Sequence, residues 1–253
     1  MLPRTPSYRL DGKRAVVIGG SRGIGLGCAV ALAEQGASVV IVARSKGQVF
    51  ETVNEMKSEG FSVSGAPMDV SIIDNVKNLM GEYSDIDILV NSAGIARHTP
   101  TVDTTELDFD DVMSVNVRSA YFLAQSAAKQ MISKGTGGSI IQISSQMAHV
   151  GGIDRAVYCG TKHAIEGINK SMAIEFGPHK IRVNSICPTF IRTPFTEPTF
   201  KDPEKVKWIE SKIKVGRVGE VEDIMGAVKF LASHVSAMVT GSSILIDGGW
   251  TAG

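Results

Sequence analysis

Ala15-Val16-Val17-Ile18, running into Gly19-Gly20-Ser21-Arg22-Gly23-Ile24-Gly25, is the stretch from which the architecture of this 253-residue chain can be worked out. The four apolar residues make a strand-type run. Leu26 to Gln35 then reads as a helix that stops at Gly36, a natural C-terminal glycine. Strand, glycine turn, helix is the context in which such a turn has chemical meaning. Glycines permit positive φ and let the backbone approach a pyrophosphate, which the free N–H groups of a helix N-terminus hold. The spacing is G-x-x-x-G-x-G rather than the commoner G-x-G-x-x-G.

Outward from this turn, further apolar runs appear at Ser38 to Val42, Ser62 to Ala66, Ile86 to Val90, Ser139 to Ile143, Ile181 to Ile186 and Ser243 to Ile246. Helical stretches separate the first six runs, the pattern of a doubly wound parallel sheet. The expected fold is therefore α/β, a seven-stranded doubly wound parallel sheet of Rossmann type, as a single domain over residues 1–253. Such a length buries roughly 70–75% of the unfolded surface. Residues 1–12 read as a loose arm. From Pro188 to about Val215 the pattern is irregular, with Pro194, Pro198 and Pro203 among Phe195, Phe200 and Trp208. This segment follows the sixth strand at its C-terminal end, where ligands bind in such sheets.

Composition narrows the function classes. Basic and acidic residues balance at 26 each, so nothing points to nucleic acid or an anionic membrane surface. No unbroken apolar stretch reaches about 18 residues, and the first residues lack a signal-peptide core. Cys28, Cys159 and Cys187 cannot all pair and have no metal-ligand spacing, so no metal is expected and buried reduced thiols are. A reducing cytoplasm is the default setting.

A second motif lies farther along: Ser144-Ser145-Gln146, then Val157-Tyr158-Cys159-Gly160-Thr161-Lys162. On a helix, i and i+4 share a face, so the Lys162 ammonium stands beside the Tyr158 hydroxyl. A phenol ordinarily titrates near ~10. A cation at ~4 Å in a partly buried site contributes roughly 4 kcal/mol, or about three pKa units, against desolvation. Tyr158 is thus expected to be drawn towards neutrality, where a general acid or base works best.

Taken together, these motifs resemble the short-chain dehydrogenase/reductase family over nearly the whole chain. The family's glycine motif maps onto Gly19, Gly23 and Gly25, its Asn-Asn-Ala-Gly onto Asn91-Ser92-Ala93-Gly94, and its last strand and turn onto Ile246-Asp247-Gly248-Gly249. Its catalytic positions map onto Asn116, Ser145, Tyr158 and Lys162. Ile18, Ser92 and Thr189 depart from the usual Thr, Asn and Gly.

The resemblance implies that Tyr158 exchanges a proton with the substrate oxygen. Ser145 would stabilise that oxygen, Lys162 would hold the nicotinamide ribose and lower the Tyr158 pKa, and Asn116 would hold a relay water. It extends the cofactor contacts to Ser21, Arg22, Ile24, Arg44, Asp69, Val70, Pro188, Thr189, Ile191 and Thr193, with Asp69 facing the adenine. At the end of the second strand, Val42-Ala43-Arg44-Ser45 lacks the carboxylate that would repel a 2′-phosphate, and Arg22 adds a second guanidinium. NADP(H) is the expected cofactor.

Residues 188–215 correspond to the family's mobile substrate lid. Gln146, His149, Gly151, Gly152, Arg155, Thr189 and Arg192 are candidate pocket residues, with Ser145, Gln146, Arg155, Tyr158 and Thr189 expected to touch a small-molecule substrate. Motif details resemble the L-xylulose/carbonyl reductase and sugar/polyol dehydrogenase branch, which implies a ketose, polyol or sugar acid. A 3-oxoacyl-carrier-protein reductase and a non-catalytic NADP(H)-sensing regulator are the alternatives. The family also implies a homotetramer, built through two long helices and the last strand, for which the apolar end Trp250-Thr251-Ala252-Gly253 suits a buried C-terminus.

Overall fold

The strand-type runs become, in the computed structural model, β1 (Arg14–Ile18), β2 (Ser38–Ala43), β3 (Val63–Pro67), β4 (Ile88–Asn91), β5 (Gly138–Ile143), β6 (Ile181–Pro188) and β7 (Ser243–Ile246); residues 2–253 are described. All pair in parallel, in the order β3-β2-β1-β4-β5-β6-β7. Side chains of a strand alternate between faces, and both faces here are apolar, as a doubly covered parallel sheet requires. Ala15, Val17, Val39, Ile41 and Val90 pack against α1 (Gly23–Glu34), α2 (Lys46–Ser58) and α9 (Glu222–Ala232). Val16, Ile18, Val40, Val42 and Leu89 pack against α3 (Ile73–Glu82), α5 (Ser119–Lys134) and α6 (Ala156–Phe176). The strand order reverses between β1 and β4, which opens a crevice beyond their C-terminal ends.

Several boundaries differ from the sequence expectation. Helix α1 begins at Gly23 rather than Leu26, so Gly25 lies inside its first turn. A Cβ on Gly25 would fall 2.1 Å from the Gly19 carbonyl oxygen. That packing is possible only for hydrogen. Gly19 itself takes φ 74°, the left-handed region, while its N–H donates to Val42 O at 2.7 Å.

Strand β4 begins at Ile88, two residues late, although Asp87 still bonds to both neighbours: its N–H donates to Arg14 O and its carbonyl accepts from Ser139 N, each at 2.9 Å. Its carboxylate accepts from Arg14 N at 2.9 Å and from Lys134 Nζ at 2.7 Å. Burial pushes that carboxyl up, but Lys134, the Arg14 amide and Lys13 outweigh it and hold it below the usual carboxylate range.

The arm is only partly loose. Leu10 is buried, its N–H donates to Gln35 O at 2.8 Å, and Arg9 pairs with Asp11, whereas residues 2–9 are exposed and Met1 lies outside the described residues. The irregular segment after β6 holds two helices, α7 (Glu197–Phe200) and α8 (Pro203–Lys212), the latter capped by Asp202, which accepts from Glu204 N and Lys205 N. Helix α4 (Glu106–Met113) precedes α5. In the single chain, Ala252 and Gly253 are exposed. Among the described residues, no helix is long and apolar enough to cross a membrane.

If the Gly25–Gly19 contact fixes α1 on β1, Gly25→Ala should overpack the turn. Overpacking typically costs about 1–3 kcal/mol, so the melting temperature should fall by roughly 3–10 °C in a calorimetric scan. An unchanged melting temperature would mean that the turn relaxes freely.

Candidate active site

The crevice beyond β1 and β4 is a single cleft of about 1110 Å³ that gathers residues from every strand-end loop between β1 and α7. Its floor is the glycine turn with Gly19, Ser21, Arg22, Gly23, Ile24 and Gly25; Arg44, Asp69 and Val70 line one end, and Ala93 and Gly94 the middle. Ser145, Gln146, Arg155, Tyr158, Lys162, Pro188, Thr189, Ile191 and Thr193 close the other end. Asn91 and Asn116, expected in the site, lie behind its wall. Asn91 Oδ1 accepts from Ala93 N and its Nδ2 donates to Gln142 Oε1 at 2.8 Å, which fixes the turn after β4.

Asn116 sits in a π-helical turn, Ser114–Arg118, between α4 and α5. Its Oδ1 accepts from Ile95 N at 2.9 Å, and its Nδ2 donates to Ile95 O at 2.9 Å and Thr161 Oγ1 at 3.2 Å. The amide thus clamps the β4 loop to α6 and spends both donors on protein. His149, Gly151, Gly152 and Arg192 do not line the cleft either. Arg192 pairs with Glu220 and stands over the Phe200 ring, 4.9 Å from its centroid.

At the reactive end, α6 presents Tyr158 and, one turn later, Lys162. The expected fall of the Tyr158 pKa does not occur in the free protein. Burial pushes the phenol up, opposed by the Ser145 hydroxyl and then the Arg155 cation. Lys162 is not spent on the phenol: its Nζ donates to Ile143 O at 3.0 Å and stands 5.6 Å from the centre of the Tyr158 ring. Burial also lowers its own pKa to about 8, against upward pulls from Cys187 and Glu166. Ser145 Oγ accepts from Met147 N at 3.1 Å and donates to Gln146 Oε1 at 3.0 Å, so Gln146, itself buried, orients the serine hydroxyl.

Thr189 and Arg155, both expected at the substrate, have unusual surroundings, and Ser45 and Gln48 join the cleft without having been expected. Thr189 Oγ1 is buried without a hydrogen-bond partner. Arg155 Nη1 lies 3.1 Å from His98 Nε2, and its guanidinium carbon stands 5.4 Å from the centre of the Phe190 ring. Ser45, which caps α2 by accepting from Gln48 N, and Gln48 line the cleft beside Arg44; serine before a helix and glutamine three residues on was a readable sign. Away from the cleft, His149, Glu166 and Cys187 place ligand-type atoms within 4.8 Å of one another, although no cysteine spacing hinted at it. The Glu166 carboxylate accepts from Ser185 Oγ at 2.7 Å and from Ser243 Oγ. All three cysteines are free and buried.

Of the lid aromatics, Phe190 and Phe195 line the cleft. Phe200 joins a satellite core with Phe190, Ile209, Ile213, Val218 and Trp250, while Trp208 packs edge-on against Trp250 at 5.6 Å between ring centres.

A family profile described as enoyl-(acyl carrier protein) reductase matches residues 18–251. L-xylulose reductase of Bos taurus is 37% identical over 96% of this chain and 98% of that protein. Gluconate 5-dehydrogenase of Gluconobacter oxydans is likewise 37% identical, over 96% of each. Among solved structures, a gluconate 5-dehydrogenase from Burkholderia cenocepacia in complex with NADP and tartrate superposes with a TM-score of 0.94 at 34% identity, covering 97% of this chain and 98% of that one.

The depressed Lys162 pKa carries a stability sign. Folded, the group titrates near 8; unfolded, at 10.5. Below pH 8 both states hold the proton and the fold bears the full penalty, about 3 kcal/mol at most by linkage. Between 8 and 10.5 the unfolded state binds more protons, and the penalty disappears. Lys162→Met should therefore raise the melting temperature at pH 7, and the gain should shrink towards pH 10. A loss of stability at pH 7, or a gain that ignores pH, would contradict the burial penalty.

Proposed function

The chain belongs to the short-chain dehydrogenase/reductase family and is an oxidoreductase; from that premise we propose that it uses NADP(H) to interconvert a ketone and a secondary alcohol on a small polar substrate. The residues present fit that cofactor. The glycine turn has no room for a Cβ at position 25, so backbone N–H groups meet a pyrophosphate unobstructed. Arg22 and Arg44 are exposed at the cleft and make no ion pair among the described residues, and Ser45 and Gln48 at the start of α2 supply neutral donors beside them. No carboxylate stands at Ala43 to repel a phosphate. The orphan Thr189 hydroxyl offers a bond at the nicotinamide end. Bound NADP(H) supplies the hydride in reduction and accepts it in oxidation.

The chain's own groups then handle the proton and the developing charge. Tyr158 Oη donates its proton to the carbonyl oxygen and takes it back in oxidation. Its raised pKa keeps it protonated until a cofactor and Lys162 share the pocket, which suits the donor role. Ser145 turns its single O–H from Gln146 Oε1 to the same oxygen and stabilises charge there, a contribution often worth several kcal/mol. Lys162 binds the ribose hydroxyls. Asn116 acts by holding the β4 loop against α6. The single observation that carries this reading is the convergence of Ser145, Tyr158 and Lys162 on the end of the cleft opposite Arg44.

Polar lining residues and the sugar and sugar-acid relatives support a ketose, polyol or sugar acid. Residues 188–215 serve as the lid over it. An acyl-carrier-protein substrate is less well supported, since Phe200 and Trp208 pack with the satellite core and leave Phe195 and the Arg155-stacked Phe190 as the lid aromatics at the cleft. We also infer a homotetramer in the cytoplasm: β7 is a sheet edge with Leu245 exposed, and three free thiols suit a reducing compartment.

Tyr158→Phe should lower turnover about 1000-fold while cofactor binding and melting temperature persist. More than a tenth of wild-type turnover would remove Tyr158 from its role. NADPH should bind at least about tenfold more tightly than NADH, about 1.4 kcal/mol, and Arg44→Ala should bring the two within about threefold. Equal affinities in the unaltered protein would refute the phosphate-binding role of the arginines.

A further inference from the structure

We propose that Arg155, presented by His98, is the carboxylate-reading residue of the substrate site, so that the substrate is a sugar acid rather than a neutral ketose or polyol; this rests on the oxidoreductase reading above. Arg155 is the N-cap residue of α6, one turn ahead of Tyr158, and lines the reactive end of the cleft. Positions i and i+3 share a helix face, so whatever Arg155 holds is within reach of the acid at Tyr158.

The guanidinium is half-buried, and burial lowers its pKa. A cation withdrawn from water is costly unless a counter-charge or a full set of acceptors replaces the water. The half-buried Arg182 has found acceptors, donating to Ser236 Oγ and to two backbone carbonyls, and even the exposed Arg97 pairs with Asp108 and Asp111. Arg155 has no ion pair among the described residues. Its partners are one imidazole nitrogen, at 3.1 Å, and the face of Phe190. Asp154 adjoins it in sequence, but it is exposed and its pull on Arg155 is weaker than the desolvation.

His98 is an informative choice of partner. Burial and then the Arg155 charge itself push its pKa down to about 4, so the ring is neutral and its Nε2 accepts from Arg155. One of five guanidinium donors is thereby fixed without cancelling the charge. An aspartate in that place would neutralise Arg155. A neutral imidazole, with the Phe190 ring against the guanidinium, leaves the charge uncancelled and one guanidinium edge uncommitted in a residue that lines the cleft. A hydroxyl could accept from that edge but would leave the charge uncompensated. A carboxylate satisfies both needs with a bidentate pair.

The test compares catalytic efficiency on a six-carbon keto-aldonate with that on the neutral six-carbon ketose, using the full-length enzyme and NADPH. The wild type should favour the acid by about 30-fold or more, the range of a charge-assisted pair. Arg155→Gln should collapse that ratio to within about threefold, mainly through KM for the acid. Arg155→Lys should keep an intermediate ratio as a point charge. His98→Glu, which supplies a resident counter-ion and leaves Arg155 in place, should collapse it as well. Retained cofactor affinity in each variant reports an intact fold. Turnover of both sugars with a wild-type ratio near one, or a ratio unmoved in Arg155→Gln, would overturn the carboxylate assignment and leave the reductase reading standing. Turnover of neither sugar, with a 3-oxoacyl thioester reduced instead, would overturn the carboxylate assignment and the small polar substrate together, and no reduction of any of the three with NADPH bound would overturn the reductase reading itself.

Discussion

The close approach of Gly25 to the Gly19 carbonyl is the constraint on which the rest of the molecule depends. Only hydrogen fits there, so the first turn of α1 is pressed onto the end of β1, and its free N–H groups face the crevice where strand order reverses. The parallel sheet places every following loop on the same edge. β4, β5 and β6 therefore deliver the Gly94, Ser145 and Thr189 loops to one cleft, although nearly a hundred residues separate the first from the last. Asn91 and Asn116 keep that edge in register with hydrogen bonds that face away from the cleft.

Helix α6 divides the chemistry along its length. Arg155 stands at its N-terminal end, Tyr158 and Lys162 follow at successive turns, and Glu166 comes one turn deeper, bonded to hydroxyls of β6 and β7. Polarity thus passes from an open cation, through a protonated phenol and a buried ammonium, to a buried carboxylate. The ammonium is the expensive member. Its lowered pKa shows that the fold spends stability to keep a charge beside the reacting centre.

Local patterns were legible in the sequence. Strand runs, the glycine turn and the Tyr158/Lys162 spacing follow from periodicity and backbone geometry within a few residues, and the seven-stranded parallel sheet with them. What stayed hidden depended on contacts between distant segments. The buried Asp87 carboxylate, held by the Arg14 amide, Lys13 and Lys134, joins segments far apart in sequence. The scaffold role of Asn116 comes from a π-helical turn that meets the loop after β4. The pairing of Arg155 with His98 spans 57 residues, and nothing around His98 marks it. The Tyr158 pKa lies above its ordinary value because burial, which the i+4 spacing does not show, outweighs the Ser145 hydroxyl and the Arg155 cation, while the Lys162 ammonium is held by the Ile143 carbonyl.

The indole of Trp250 has one further consequence. It is sandwiched between Trp208 of α8 and Phe190 of the loop after β6, at 5.6 and 5.7 Å between ring centres. One indole thus ties α8, the loop after β6 and the segment following β7 together, so a smaller side chain at Trp250 would remove the packing partner of Trp208 and Phe190 at once.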